Sequence, residues 1–203
     1  MHDILWYGAH DNIESKNSKP FHQMIQYDSK KLKFSTVPFQ KGNRAPSKRW
    51  NHDFCSFRGS NRGFIVCGCT TEGLTNEIYS VDLTTMYFTK LNLEGKKIPP
   101  LELHSAVVFR DTHLFIMGGK TSQTTFNKDM FIVDLETLIV DDVFMPEFIC
   151  AHTTCIIDDR YLLSYGGWNG KRIVPYFIRY DIPETNLYFR WTRMVQAPPN
   201  MTT

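Results

Sequence analysis

Three histidines, five cysteines and one Gly-Lys-Thr triplet are the side chains here whose chemistry must be weighed first. His52, His104 and His152 each open an apolar run, once per recurring unit. Three imidazoles converging on one point would make a metal centre. Equivalent places in successive units instead set them around a ring, many ångströms apart, each hydrogen-bonding the backbone of its neighbour. Cys67-Gly68-Cys69, with Cys55, Cys150 and Cys155, suggests a thiolate cluster, but the spacings match no zinc pattern. Cys55 and Cys155 share a register position with Val107, Cys67 lines up with Met117 and Tyr165, and Cys69 with Gly119 and Gly167. Those are slots for apolar or small residues, so the thiols read as core. Gly119-Lys120-Thr121 imitates the end of a phosphate-binding loop, yet Leu114 stands where that motif needs glycine. The acids are scattered among turns. No catalytic set, metal or cofactor is expected.

The elements that must carry these residues form a repeat. Second strands end at Trp6-Tyr7-Gly8, Val66-Cys67-Gly68, Met117-Gly118-Gly119 and Tyr165-Gly166-Gly167. Third strands close on Asp28, Asp82, Asp134 and Asp181. The later glycines lie about 48 to 50 residues apart, the period of a four-stranded propeller blade. The glycines permit a positive φ or a close backbone approach. Each aspartate can accept from the N–H two residues on and hold a tight turn. A large residue follows six positions later, at Phe34, Phe88 and Val140. Short strands, regular turns and no helical period predict an all-β chain.

This pattern resembles the kelch repeat over roughly residues 3 to 195. Gly8-Ala9 and Gly68-Cys69 depart from its double glycine, and its fourth-strand tryptophan appears only as Trp191. The resemblance implies a β-propeller. The chain then reads as a single domain, 1–203. Its blades run about 3–39, 50–94, 102–145 and 150–195, with 196–203 starting a further blade or a tail. The first blade begins at its second strand, Ile4 to Tyr7, and lacks an inner one. The expectation is therefore part of a larger ring, or a partial ring whose blade edges pack on another chain or copy.

Composition narrows the partners. A net charge of +2 gives no general attraction to nucleic acid. No run approaches the roughly 18 apolar residues of a membrane span. The first twenty residues hold no secretory signal. Five cysteines without an export signal fit free thiols in a reducing, cytoplasmic setting.

In an up-and-down blade, loops from second to third strand share a face with the blade-to-blade connections. That face carries the long loops His10 to Phe21, Thr70 to Asn76, Lys120 to Lys128 and Trp168 to Pro175. Function concentrates in such loops. Trp168, Arg172 and Phe126 are the candidate contacts. With them goes the basic segment of Lys41, Arg44, Lys48 and Arg49, suited to an acidic protein surface. Residues 28 to 49 hold seven Lys/Arg against the single acid Asp28. The leading expectation is a non-catalytic scaffold or adaptor within a larger assembly. The alternatives are a substrate receptor of a ubiquitin ligase and, in another class, an oxidase-like or metal-dependent propeller enzyme.

Overall fold

The computed structural model describes residues 4–7, 23–39, 45–145, 147–182 and 190–194. Among them the chain is all β, in four successive antiparallel sheets. The first has three strands, Ile4–Tyr7, Met24–Asp28 and Lys33–Val37. The second runs Asp53–Ser56, Arg62–Val66, Ile78–Asp82 and Tyr87–Lys90. The third runs Ser105–Phe109, His113–Met117, Asp129–Asp134 and Ile139–Phe144. The fourth runs Thr153–Ile157, Tyr161–Tyr165, Phe177–Asp181 and Arg190–Met194. The inner strands of blades two, three and four stand side by side. They wall an open channel of about 770 Å3 lined by Asp53, Cys55, Ser105, Val107, Thr153 and Cys155.

Blade faces bury one another, which explains the unbroken apolar run in the third blade. Leu114 and Ile116 join the cluster facing Phe64 and Val66 of blade two. Phe115 and Met117, pointing the other way, join Leu162, Ile178 and Tyr180 of blade four. Ile65 turns toward Tyr7 and Met24 of blade one. A strand covered on both faces has no polar side to alternate with. The outward face of blade four differs: Ile157, Tyr165 and Phe177 remain exposed there.

The turns repeat in atomic detail. Asp28 Oδ1 accepts from the N–H groups of Lys30 and Lys31, both at 3.0 Å. Asp82 does so from Thr84 and Thr85 at 2.9 and 2.8 Å, and Asp134 from Glu136 and Thr137 at 2.8 and 2.9 Å. These bonds lower all three carboxyl pKa values. Two bonds, to the second and third N–H, cap each turn. Asp181 instead lies 3.0 Å from Arg179 Nε, and its turn falls outside the described residues. Asp134→Ala should destabilise by about 1 kcal/mol, the net worth of such a bond. An unchanged denaturation midpoint would show that the turn holds without the carboxylate.

Two features have no counterpart in the sequence reading. Glu94–Gly95, on the way out of blade two, lies parallel against Ile139 and Val140 and gives the third sheet a fifth strand. A small sheet also joins Arg49–Trp50, Cys69–Thr70 and Gly73–Leu74.

The glycine register needs one correction. An added Cβ at Gly68, Gly119 and Gly167 would stand 2.6, 2.8 and 2.9 Å from the Cβ atoms of His52, His104 and His152. These three glycines are therefore equivalent, and Cys67, not Gly68, takes the place of Gly118 and Gly166. Cys67 shares their positive φ, at 50° against 62° and 75°. Cys69 accordingly falls with Lys120 and Trp168. The alignment Cys67 with Met117, and Cys69 with Gly119, is one residue out.

Candidate interaction face

Among the described residues, the long loops of blades two, three and four and the blade-to-blade connections are woven together on one face; the loop His10 to Phe21 lies outside them. Trp50 pairs with Cys69 and Cys69 with Leu74. Lys120 bridges Glu102 and Phe126, and Trp168 bridges Cys150 and Ile173. Each loop is thus a short hairpin held to the connection entering its own blade. The connections also bond each other, with Leu103 N–H donating to the Asn51 carbonyl and Ala151 N–H to that of Leu103. Such cross-bracing gives loop side chains a fixed platform. The opposite face carries tight turns at Arg110-Asp111 and Asp158-Asp159, all four residues at positive φ. There Arg62 donates to the Asp111 carbonyl at 2.8 Å, and Arg110 lies 3.8 Å from Asp159, linking successive blades.

Loops of blades three and four meet in one aromatic and basic cluster. The Phe126 and Phe148 rings lie 5.6 Å apart. Lys120 Nζ stands 5.3 Å over Phe126 and Lys128 Nζ 6.0 Å over Phe148. Gly170 presses its backbone on the Phe126 edge, where a Cβ would come within 3.1 Å. Asn169 Oδ1 caps the loop tip by accepting from the N–H groups of Lys171 and Arg172 at 3.1 and 3.0 Å. Trp168 and Ile173 oppose each other across this hairpin and stay 41% and 71% exposed. Glu147 accepts from the Tyr176 hydroxyl at 2.6 Å and from Asn169 at 3.3 Å, tying the hairpin to the incoming connection.

The hairpin that carries Trp168 and Arg172 therefore packs its tip, at Gly170, on Phe126. Lys48 is exposed at the entrance to blade two, two blades from Trp168. Lys41, Arg44 and Gly8 lie outside the described residues. Arg49 does not belong to a contact surface. Its side chain is fully buried, donating to the Cys67 carbonyl at 2.9 Å, the Ser47 carbonyl at 3.1 Å and Glu77 Oε2 at 3.1 Å. Glu77 also holds Lys90 at 2.7 Å. Desolvation alone would raise the Glu77 carboxyl, but Lys90 and Arg49 together hold it below its ordinary value. Sequence reasoning counted Arg49 by charge, and charge does not report burial. It also missed Phe148, Ile173, Lys120 and Lys128. The only signal for them was the hairpin register, which sets Lys120 level with Trp168.

The cysteines divide. Cys67 and Cys150 are buried, Cys55 and Cys69 half-buried, and Cys155 is exposed on the channel wall rather than in the core. Its register mates Cys55 and Val107 pack against the blade interfaces; Cys155 is exposed because its face of blade four, shared with Ile157, is the uncovered one. Burial pushes the Cys67 thiol up to about 12.

His104 and His152 are buried and His52 half-buried at equivalent places in successive blades, and a charge on His52 or His152 would oppose one on His104. The expected hydrogen bonds to the neighbouring blade's backbone are not made by His104 or His152, whose ring nitrogens have no hydrogen-bond partner among the described residues; His52 is drawn to a backbone, that of Tyr7 in the preceding blade. His152 sits on Gly118, where an added Cβ would come 2.8 Å from its Cε1. Burial lowers their pKa values to about 4, 3 and 4 for His52, His104 and His152. Neutral folded histidines stabilise the chain fully above the unfolded value near 6.5. That contribution is lost as pH falls from there toward 4. Between pH 7 and 6 the three together should cost about 2 kcal/mol. Urea midpoints at the two pH values check this, and a midpoint that rises on acidification would refute it.

Comparison with known proteins follows the same lines. Residues 2–201 match the model of the KLHDC2/KLHL20/DRC7 Kelch-repeats domain. Adagio protein 3 of Arabidopsis thaliana is 26% identical over 129 residues, 61% of this chain and 21% of that protein. Adagio-like protein 1 of Oryza sativa subsp. japonica is 26% identical over 129 residues, 61% of this chain and 20% of that protein. Acyl-CoA-binding domain-containing protein 6 of the same rice is 28% identical over 162 residues, 74% of this chain and 24% of that protein. The chain thus spans about a fifth to a quarter of the length of these relatives. Four Gly-to-Asp blades, faces buried blade on blade, and a family match over nearly every residue agree: the chain belongs to the kelch-repeat family.

Proposed function

We propose that this propeller is a non-catalytic protein-interaction module, a scaffold or adaptor within a larger assembly, that docks its partner on the long-loop face. One observation carries the reading. Trp168 and Ile173 stand exposed on a hairpin braced by Cys150, Glu147 and Phe126. A large apolar side chain costs least to bury on binding when its backbone is already fixed. Tryptophan is also the residue most enriched among binding hot spots. Kelch membership supports the interaction role, as does similarity to the Adagio proteins. The exposed flank of blade four, with Ile157, Tyr165 and Phe177, supports a place beside other protein.

Affinity capture from the native source, comparing the wild-type chain with Trp168→Ala/Ile173→Asp, tests this. Specific partners should fall at least about tenfold in recovery, the loss of one hot spot. Equal recovery by both forms would move the docking site off this face.

A further inference from the structure

Granting that the long-loop face docks a protein, we propose that the docked element is an acidic segment bearing one bulky apolar anchor. The anchor seats on the Trp168–Ile173 pair and the acids on the cations beside it. Trp168 and Ile173 are a non-hydrogen-bonded pair, because the flanking bonds run from Asn169 N to the Arg172 carbonyl and from Val174 N to that of Gly167. In such a pair the two side chains leave on the same side and stand close together. They form one apolar step open to solvent, able to receive a leucine or an aromatic ring.

Lys171 and Arg172 stand on the same hairpin, and Lys120 and Lys128 stand over the Phe126–Phe148 pair against which its tip packs. None of the four makes an ion pair with an acid among the described residues. Of the acids in the neighbourhood, Glu147 is engaged by Tyr176 and Asn169 and Glu102 by the Asn51 amide at 2.9 Å, while Asp129 feels the charge of Lys128 without forming an ion pair with it. Elsewhere Arg49, Arg62, Lys90, Lys96, Arg110 and Arg179 face a carboxylate within 4 Å, while Lys30, Lys33, Lys48, Arg58, Lys97 and Arg160, spread over all four blades, also make no ion pair among the described residues; what sets the four apart is their gathering beside exposed apolar groups. The loops of blades three and four thus hold positive charge that the fold itself leaves uncompensated. A partner carboxylate there gains complementarity, and a basic one meets like charge.

The same mixture of aromatic and basic side chains also suits single-stranded nucleic acid. The geometry favours a protein. The Phe126 and Phe148 rings pack on each other and lie under Lys120 and Lys128, which leaves Trp168 as a single stacking surface in this cluster where single-stranded nucleic acid uses a succession of them. The most exposed apolar group of this hairpin is aliphatic Ile173, which buries a side chain but does not stack a base.

A random dodecapeptide library displayed on phage, selected on the full chain, tests the proposal. Sequences with two or more Asp/Glu flanking a Leu, Phe or Trp should be enriched. A synthetic peptide of the enriched sequence should bind at least about tenfold more weakly to Lys171→Glu/Arg172→Glu, and weaken as salt rises. It should also bind more weakly to Ile173→Ala, an exposed change that leaves the fold intact. Circular dichroism of each variant confirms the fold. Enrichment of basic or uncharged sequences that still need Trp168 and Ile173 would overturn the acidic partner and leave the docking face standing. Enrichment that ignores both residues, or no enrichment at all, would overturn the proposal and the face together. Oligouridine binding the wild-type chain more tightly than any selected peptide would assign the site to nucleic acid instead.

Discussion

Gly167→Ala should lower stability by at least about 3 kcal/mol, while Gly166→Ala, one residue away, should cost about 1 kcal/mol. Both glycines have positive φ, 75° at Gly166 and 89° at Gly167, so both substitutions carry backbone strain. Space separates them. A Cβ on Gly167 would lie 2.5 Å from the Cys150 carbonyl oxygen and 2.9 Å from His152 Cβ. Neither is the free end of a side chain, so the hairpin would have to leave the connection that braces it. Around Gly166 nothing lies within 4 Å. In blade three the equivalent Gly118 is closed in, its Cβ position 2.2 Å from the Ile149 carbonyl oxygen. That oxygen belongs to the segment entering the next blade. Urea denaturation of the two variants decides the matter, and equal midpoints would mean that strain, not contact, governs the double glycine.

Arg49→Ala should cost about 3 to 5 kcal/mol, the usual loss when one member of a buried charged network is removed. The guanidinium fills a site with no exposure and satisfies two backbone carbonyls, Ser47 and Cys67, together with Glu77. It also lies 5.5 Å over the Tyr79 ring. Arg49→Lys should recover only part of the loss, because one ammonium cannot reach acceptors placed in three directions. Full stability in the lysine variant would reduce the network to a simple charge pair. Since Arg49 holds the carbonyl of Cys67, the loss should fall on the one blade whose first glycine slot carries a side chain.

What the sequence made legible was whatever is settled locally or by strict repetition. An aspartate and the N–H groups two and three residues on lie within one turn, so the spacing of Asp82 and Asp134 carries its own geometry. The apolar runs at Phe64 to Val66 and Leu114 to Met117 announce strands buried on both faces. The slip at Cys67 has a physical origin: two glycines look like the conserved object in a text. In space the object is a left-handed residue followed by one pressed on a histidine, and a cysteine can fill the first role. Arg49 was illegible because the three residues that accept from it lie 2, 18 and 28 residues away. The cluster of Phe126, Phe148, Trp168 and Ile173 joins three loops from two blades, and only the closed fold brings them together.

The short strand Glu94–Gly95 changes how this array comes apart. Stacked repeats ordinarily unzip from whichever end is weakest, each unit held only by the faces it shares. Here the chain leaving blade two doubles as the outer edge of blade three. Glu94 N–H donates to the Leu138 carbonyl at 3.0 Å, Lys96 N–H to that of Val140 at 2.9 Å, and Lys96 Nζ meets Asp142 at 3.1 Å. Peeling the second blade away must tear this seam as well as open the hydrophobic interface. The two middle blades therefore become one cooperative unit, with fraying confined to the blades on either side. Amide exchange should register it as a single slow block across Phe64 to Val140, flanked by faster protons, so that the hub of the array keeps its shape while its margins remain pliable.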